Sequence, residues 1–317
     1  MSVPRKEAMS EPARTPDGPI EADGIRSYYG RPILKEPVWK VPDVPSYLFL
    51  GGLAGASASM ASVAELTGHR ELVRVGRLAA AGGALASVGA LIHDLGRPAR
   101  FLNMLRVFKP TSPLSVGSWI LAPFSGLTSA SAGAQLTGVL PAAGRLAGGA
   151  AGLLGPAMCT YTAVLLSDTA VPSWHEAYPE LPFLFGGSAL NSAAGAALVG
   201  ARPCATRPAI RMGLLGSGLE LAASSRMERR LGVVGEPYQR GRAGALLTAA
   251  RALTVAGAVL SVIGRRSRAA SAIAGVAYLA AGACTRFGVF RAGVNSARDP
   301  RYVVAPQRDR LRGRGGG

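Results

Sequence analysis

Residues 93–121, HDLGRPARFLNMLRVFKPTSPLSVGSWIL, carry the side chains of this chain that are best suited to chemistry. His93, Asp94 and Arg97 open the stretch, and more basic residues follow before the next apolar run. That run, 114–140, contains no charged residue. Ionisable groups at membrane depth are costly and are therefore candidates for function. Their density predicts a site that handles protons, anions or a quinone head group.

The two residues that open this stretch have alternative roles. Asp94 is expected at the end of the second apolar helix, where its carboxylate would accept hydrogen bonds or protons from a bound head group. Alternatively, Asp94 caps the following turn and pairs with Arg97 or Arg100. Histidine is a common proton shuttle, so His93 would pass protons to and from the site, or it is a polar residue at the membrane interface.

Tyr161 and Asp168 form a second candidate group, about two helical turns apart at the end of a later apolar segment. A phenol among apolar residues can donate a hydrogen bond to a quinone carbonyl, although a buried tyrosine usually finds a backbone partner. Asp168 is a further candidate for acid–base chemistry. Trp174 and Tyr178, which follow it, are expected to be aromatic anchors at the membrane interface.

Glu220 and Arg251 are charged residues inside two other apolar segments, at similar expected depth. The simpler prediction for them is an ion pair between neighbouring helices. The alternative is that they form a step in a proton path.

Several kinds of site are missing from the sequence. The three histidines, His69, His93 and His175, lie at or beyond predicted helix ends, so they do not provide the facing pairs of a haem-binding bundle. The three cysteines are scattered without CxxC spacing, which predicts neither a zinc site nor an iron–sulfur cluster in this chain. The sequence also has no P-loop, nucleotide fingerprint or hydrolase triad.

The composition indicates a membrane protein made of helices. Hydrophobic residues make up 49% of the chain and charged residues only 17%. Several apolar runs reach the length of about 20 residues that a spanning helix needs. The 42 glycines would weaken helices in water, but in lipid small residues let helix backbones approach closely.

The apolar pattern predicts an all-α integral membrane fold of eight transmembrane helices. The expected segments are 46–66, 73–93, 114–138, 145–167, 181–201, 209–225, 243–264 and 269–286. A Pro-rich, basic and extended tail (1–44) precedes a membrane domain (45–290), and a basic tail (291–317) follows it. Two four-helix bundles, about 45–168 and 181–288, are the natural packing units.

The net charge of +17 has a bearing on partners and on topology. In a membrane protein an excess of arginine usually reflects orientation and contact with anionic lipid, so we expect lipid and not nucleic acid as the partner. An even number of spans places both termini on one side. Because both tails are basic, that side is predicted to be the cytoplasm, with the chain crossing the cell membrane several times.

Several stretches, in the same order along the chain, resemble the NrfD/PsrC family of quinone-reactive membrane subunits in polysulfide-reductase-like complexes. They are SYYGRPILKEPVWK at 27–40 with PSYLFLGGLAGAS at 45–57, the stretch at 93–121, TAVLLSDTAVPSWHEAYPELPFLFGGSAL at 162–190, and RAGVNSARDPRYVVAPQR at 291–308. The resemblance implies an eight-helix subunit without haem or iron–sulfur cluster of its own, which binds menaquinone or a similar quinone as substrate. It also implies docking of a ferredoxin-like iron–sulfur subunit that leads to a molybdopterin or hydrogenase-type catalytic subunit.

Carried over by position, the resemblance places Tyr161, the Asp94–Arg97 loop and Tyr47 around the quinone. The polar His and Asn residues that the better-studied members have near the start of the first helix are missing from SYLFLGGLAGAS. The expected function is electron and proton exchange between the quinone pool and the iron–sulfur subunit, so the chain would not be a complete enzyme. The alternatives are a secondary transporter or ion channel, or a passive membrane anchor without a working quinone site.

Overall fold

The structure, a computed structural model, describes residues 34–35, 37–97, 99–304 and 306, and it consists of helices and connecting segments. Most of the predicted N-terminal tail and residues 307–317 lie outside the described residues. The α-helices are α1 (Asp43–Leu66), α2 (Arg70–Leu95), α3 (Ala99–Met104), α4 (Pro113–Thr137), α5 (Pro141–Ser167), α6 (Pro172–Glu176), α7 (Leu181–Gly200), α8 (Arg207–Leu231), α9 (Glu236–Gln239), α10 (Gly241–Ile263) and α11 (Arg268–Arg298).

Proline and glycine set several of the helix ends. Pro113 and Pro141 occupy the first positions of α4 and α5, where the missing N–H costs no hydrogen bond. Gly96 and Gly138 follow α2 and α4 in the left-handed conformation, with φ of 69° and 72°, which only glycine adopts without strain. These residues could be read in the sequence, and the predicted boundaries of the segments that became α2, α4 and α5 lie within a few residues of the observed ones.

Each of the eight predicted apolar segments falls on a long helix: α1, α2, α4, α5, α7, α8, α10 or α11. Six helices are long and apolar enough to cross a membrane: α1, α2, α5, α7, α10 and α11. The other two are more polar, since α4 is rich in Ser, Thr and Gly and α8 carries charges near both ends. The all-helical membrane fold is thus confirmed for the described residues, whereas eight spans in two bundles stays a prediction.

The outer surfaces of these helices are apolar. Several leucines point outwards, including Leu85, Leu146, Leu153 and Leu215. The side chain of Leu153 is 85% exposed. Exposed apolar area of this extent would be unfavourable in water and marks a surface that meets lipid or a protein partner. The fold buries many small residues together with leucines and a set of aromatic rings.

The first helix occupies the middle of the fold. It packs against α2 and α5, and on another side it meets α7 and α11. Gly55 of α1 lies so close to α5 that an added Cβ would stand 2.6 Å from the Gly155 carbonyl oxygen. Beside this crossing, the Ser59 hydroxyl donates to the Gly152 carbonyl at 2.9 Å. The prediction that small residues allow close helix packing is confirmed here.

Two ends of the helix assembly can be distinguished by their contacts. At one end, the segment before α1 meets the end of α2, and Glu180 before α7 meets the last turn of α8. The same end holds α6 and α9, and we call it the terminal face because the described chain starts and ends there. Trp39 covers part of this face, with its ring centroid 5.6 Å from that of Trp174.

Candidate functional site

Three of the residues predicted from the sequence come together at the terminal face. Tyr47 in the first turns of α1, Tyr161 in α5 and Asp94 near the end of α2 are close enough for the Tyr47 phenol to interact electrostatically with both others. Tyr47 is 4% exposed, and Tyr161 and Asp94 are half-buried. Neither phenol hydroxyl has a hydrogen-bond partner among the residues that the structure describes. The two hydroxyls are therefore free to donate to a bound molecule.

A glycine and a serine on neighbouring helices contact Tyr161 and Tyr47. Tyr161 lies flat against α4 at Gly117, where an added Cβ would stand 2.6 Å from the ring carbon Cε2. On the α1 side, the Ser87 hydroxyl donates to the Tyr47 backbone carbonyl at 3.1 Å and joins α2 to α1. The sequence offered no sign of the contact between Gly117 and Tyr161, because the two residues belong to different helices.

Asp94 has a structural partner that the sequence did not suggest. Its Oδ1 accepts a hydrogen bond from the Lys40 backbone N–H at 3.0 Å, so it fixes the segment before α1 to the end of α2. The expected alternative, a pair with Arg97 or Arg100, is wrong, since Arg100 donates to the Leu95 carbonyl and Arg97 is exposed. The Asp94 carboxylate instead accepts its hydrogen bond from the segment before α1.

His93 and Asp168 lie at the edge of this group. His93 is 77% exposed, and its Nδ1 is 2.7 Å from Oδ2 of Asp43 in the first turn of α1. Asp168 follows the last residue of α5 and is exposed to solvent. Both residues share the terminal face with Tyr47 and Asp94, and their catalytic roles stay predictions.

A groove lies beside Asp168 on the same face. It is formed by residues 34–35 and 37–39 on one side and by 169–174 on the other, and its volume is about 320 Å³. Trp174 forms its inner wall and is fully buried, with its Nε1–H donating to the Val289 carbonyl at 2.8 Å. The expected interfacial anchor at Trp174 is therefore wrong. Its ring packs against Gly293 of α11 within the protein.

The predicted ion pair between Glu220 and Arg251 is also wrong. Arg251 forms its salt bridge with Glu228, which lies further along α8 than Glu220 and nearer the terminal face. The Arg251 Nε donates to the Ser224 hydroxyl at 3.2 Å. Glu220 accepts hydrogen bonds from Asn191 instead. The two residues do border the same small cavity, so the estimate of similar depth holds although the pairing does not.

Arg286 is a buried charge that sequence reasoning missed. The last predicted segment ended at this residue, but α11 continues to Arg298 and buries it completely. Its Nη2 donates to the Phe185 carbonyl at 2.9 Å, and its guanidinium carbon stands 3.8 Å from the Phe185 ring centroid. Arginine at this position thus ties α11 to α7. The sequence indicated the burial of Arg286 only in that apolar residues continue after it.

Glu180 forms a charged cluster at the terminal face, just before α7. Its carboxylate is 2% exposed and is 2.7 Å from Arg230 and 3.4 Å from Arg226, both on α8. Burial acts to raise the pKa of Glu180, but hydrogen bonds and positive charge from Arg230 and Arg226 outweigh it, so its pKa is lowered. The carboxylate therefore stays ionised and joins α7 to α8.

A comparison with protein families matches residues 34–207 to the family described as polysulphide reductase, NrfD. This match covers more than half of the chain. The chain belongs to the NrfD family. No curated protein matches it. The NrfD match includes Tyr47, Asp94, Tyr161 and Asp168, and membership makes the chain a multi-pass membrane subunit of a multi-subunit oxidoreductase, which implies partner subunits.

The NrfD match ends at residue 207, where α8 begins. Glu220, Arg251 and Arg286 therefore lie outside the matched residues. What these three side chains do has to be argued from their own surroundings.

Proposed function

We propose that this chain exchanges electrons and protons between the menaquinone or quinone pool and a docked iron–sulfur subunit. The observation that supports the proposal is the pair of free phenol hydroxyls, on Tyr47 and Tyr161, beside the Asp94 carboxylate. A quinone head group has two carbonyl oxygens that accept hydrogen bonds, and two phenols are suitable donors for them. The surrounding Leu48, Leu91 and Phe124 belong to the buried apolar core, which suits the ring of such a head group.

The chemistry would be divided between the substrate and the protein. A quinol that is oxidised releases two electrons and two protons, and reduction takes up the same number. The phenols of Tyr47 and Tyr161 would orient the head group. The second oxygen of Asp94, which Lys40 leaves free, would accept or return a proton. The exposed His93, paired with Asp43, would pass protons between Asp94 and water.

The electrons need a carrier outside this chain. A ferredoxin-like iron–sulfur subunit docked on the terminal face would be nearest to the tyrosines, and a molybdopterin or hydrogenase-type subunit would complete the path. The docked subunit would then cover the groove beside Asp168. It would also cover the exposed side chains of Arg97 and Asp168.

The membrane arrangement is part of the same proposal. α1, α2, α4 and α5 pack mainly on one another, and so do α7, α8, α10 and α11, which supports two four-helix groups that span the membrane eight times. The terminal face would be cytoplasmic, since the sequence places the basic tails there.

Two other functions make different predictions. A passive anchor would have the same fold, but its tyrosine hydroxyls would bind nothing. A transporter or channel would need polar groups that converge between helices, and the surroundings of Glu220 favour it in that one respect. The apolar walls around Tyr47 and Tyr161 favour the quinone site.

The test is direct binding of a fluorescent quinol-site inhibitor of the hydroxyquinoline class to the purified chain in detergent. We expect saturable quenching that menaquinone analogues displace and that Tyr161→Phe weakens. Tyr178→Phe is the matched control, because Tyr178 is 63% exposed on the same face. Absence of saturable binding to the wild-type chain would favour the passive anchor.

A further inference from the structure

Glu220 of α8 is a buried carboxylate without a salt bridge among the described residues. It is 4% exposed and lies where α8 meets α7, α10 and α11. Its oxygens accept from Asn191 Nδ2 at 2.7 Å, from the Thr285 hydroxyl at 2.7 Å and from the Thr254 hydroxyl at 3.3 Å. An acid in such a place is costly to keep charged and is a candidate for function.

The hydrogen bonds around Glu220 can accommodate the acid in either protonation state. The Thr285 hydroxyl also lies 3.0 Å from the Ala281 carbonyl. It can therefore donate to Ala281 and accept from a protonated Glu220, or donate to an ionised Glu220. A carboxylate held only by N–H donors would lose a hydrogen bond when protonated. At Glu220, the hydrogen bond with the Thr285 hydroxyl can reverse its direction instead.

A small cavity lies beside Glu220. Its volume is about 10 Å³, which is room for roughly one water molecule. Ser224 and Arg251 border it together with Glu220 and Thr285. Arg251 is 38% exposed and pairs with Glu228 in the last turns of α8. A water molecule held there would link the Glu220 carboxylate to the Arg251–Glu228 pair, on the side of Glu220 nearer the terminal face.

On its other side Glu220 joins a hydrogen-bonded chain that contains an amide. The hydrogen-bonded chain continues from Asn191 to the Ser217 hydroxyl at 3.2 Å and from there to the Tyr278 hydroxyl at 3.3 Å. The side-chain amide of Asn191 stands in this chain, and an amide neither takes up nor releases a proton near neutral pH. The groups that could pass a proton along this chain are therefore interrupted at Asn191.

We propose that Glu220 is a proton-binding site that is loaded from the terminal face through the cavity beside Arg251. The charged or titratable groups that face it are Arg251 of α10 and both Arg286 and Tyr278 of α11. Burial favours the neutral acid, while Arg286 and the three hydrogen-bond donors favour the carboxylate. The site lies in helices other than those of Tyr47 and Asp94 and does not depend on quinone binding.

The experiment is infrared difference spectroscopy of the full chain in lipid, recorded between high and low pH. We expect a protonated-carboxyl band that shifts in D₂O and is lost in Glu220→Gln. Glu65→Gln is the matched control, since Glu65 is another helical glutamate, paired with Arg77 at 2.6 Å, and this variant should keep the band. Ser224→Leu, which fills the cavity, should slow the D₂O shift of the band.

Several results would overturn the proposal. Identical spectra of wild type and Glu220→Gln would mean that Glu220 does not titrate. A band that responds to Na⁺ at constant pH would indicate a cation site instead. If liposomes with the wild-type chain lose a pH gradient faster than those with Glu220→Gln, the route is open on both sides. Glu220→Asp, which keeps a carboxyl group, should move the band without removing it, and an unmoved band would refute the assignment even if the glutamine variant folds poorly.

Discussion

The backbone N–H of Lys40 donates a hydrogen bond to Asp94, with 3.0 Å between the nitrogen and Oδ1. This contact joins the segment before α1 to the end of α2, next to Tyr47. Asp94 thus has a structural task in addition to the proton transfer proposed for it. Substitutions can separate the two tasks, because an amide oxygen can replace the carboxylate as acceptor but cannot take up a proton.

Asp94→Asn should keep the chain folded and impair quinone turnover. The amide oxygen would still accept from Lys40, so assembly and thermal stability should stay near wild type. Turnover of a menaquinol analogue by the reconstituted complex should fall, and its dependence on pH should flatten. Wild-type turnover across the pH range would show that the Asp94 carboxylate carries no proton.

Tyr161→Phe should lower turnover to a smaller extent. The ring keeps its contact with Gly117, and only one hydroxyl is lost. A hydrogen bond to a neutral carbonyl contributes about 0.5–1.5 kcal/mol, which corresponds to at most roughly tenfold in affinity or rate. The measurement is the same turnover assay, with Tyr178→Phe as control. Equal activity of both variants would place the quinone away from Tyr161.

Gly117→Ala should displace the Tyr161 ring, since the new Cβ would stand 2.6 Å from Cε2. Overpacking of this kind costs about 1–3 kcal/mol, so thermal unfolding in detergent should occur at lower temperature and inhibitor binding should weaken. Gly126→Ala on the same helix is the matched control, because no atom lies within 4 Å of its added Cβ. Equal stability of the two variants would contradict the close packing of Tyr161.

Glu180 should make the fold sensitive to acid. Its pKa in the folded chain is below the ordinary value of 4.5, because Arg230 and Arg226 outweigh the effect of burial. Its stabilisation is therefore complete above pH 4.5 and is lost as the pH falls through the lower, folded-state pKa. Glu180→Gln should cost about 1 kcal/mol at neutral pH, because both arginines are partly exposed.

The measurement for Glu180 is thermal unfolding in detergent as a function of pH. The difference between wild type and Glu180→Gln should shrink at acidic pH. Asp168→Asn, which changes an exposed carboxylate on the same face, should leave the wild-type profile unaltered. A difference that stays constant at all pH values would mean that Glu180 does not titrate with folding.

Arg251 should be coupled to Glu228 and not to Glu220. The salt bridge joins Arg251 to Glu228, so the losses in stability for Arg251→Gln and Glu228→Gln should be less than additive in the double variant. The losses for Arg251→Gln and Glu220→Gln should add more closely. A double-variant cycle on unfolding in detergent measures both, and the reverse order of coupling would contradict the observed contacts.

The sequence by itself determined the helices and the family. Apolar runs of about 20 residues are local in the chain, and proline at 113 and 141 and glycine at 96 and 138 mark helix ends by their own backbone preferences. The stretch at 93–121 carried the resemblance that the NrfD match confirmed. Such features need no knowledge of which helices are neighbours, so they could be read correctly.

Only the tertiary structure decided which polar groups meet. Tyr47, Asp94 and Tyr161 come from three helices, and their proximity follows from α1 packing between α2 and α5. Arg286 was expected at the end of the last apolar segment, but its hydrogen bonds to carbonyls of α1 and α7 make burial possible. Hydropathy measures the cost of placing a charge in lipid, whereas the partners that offset this cost are set by helix packing.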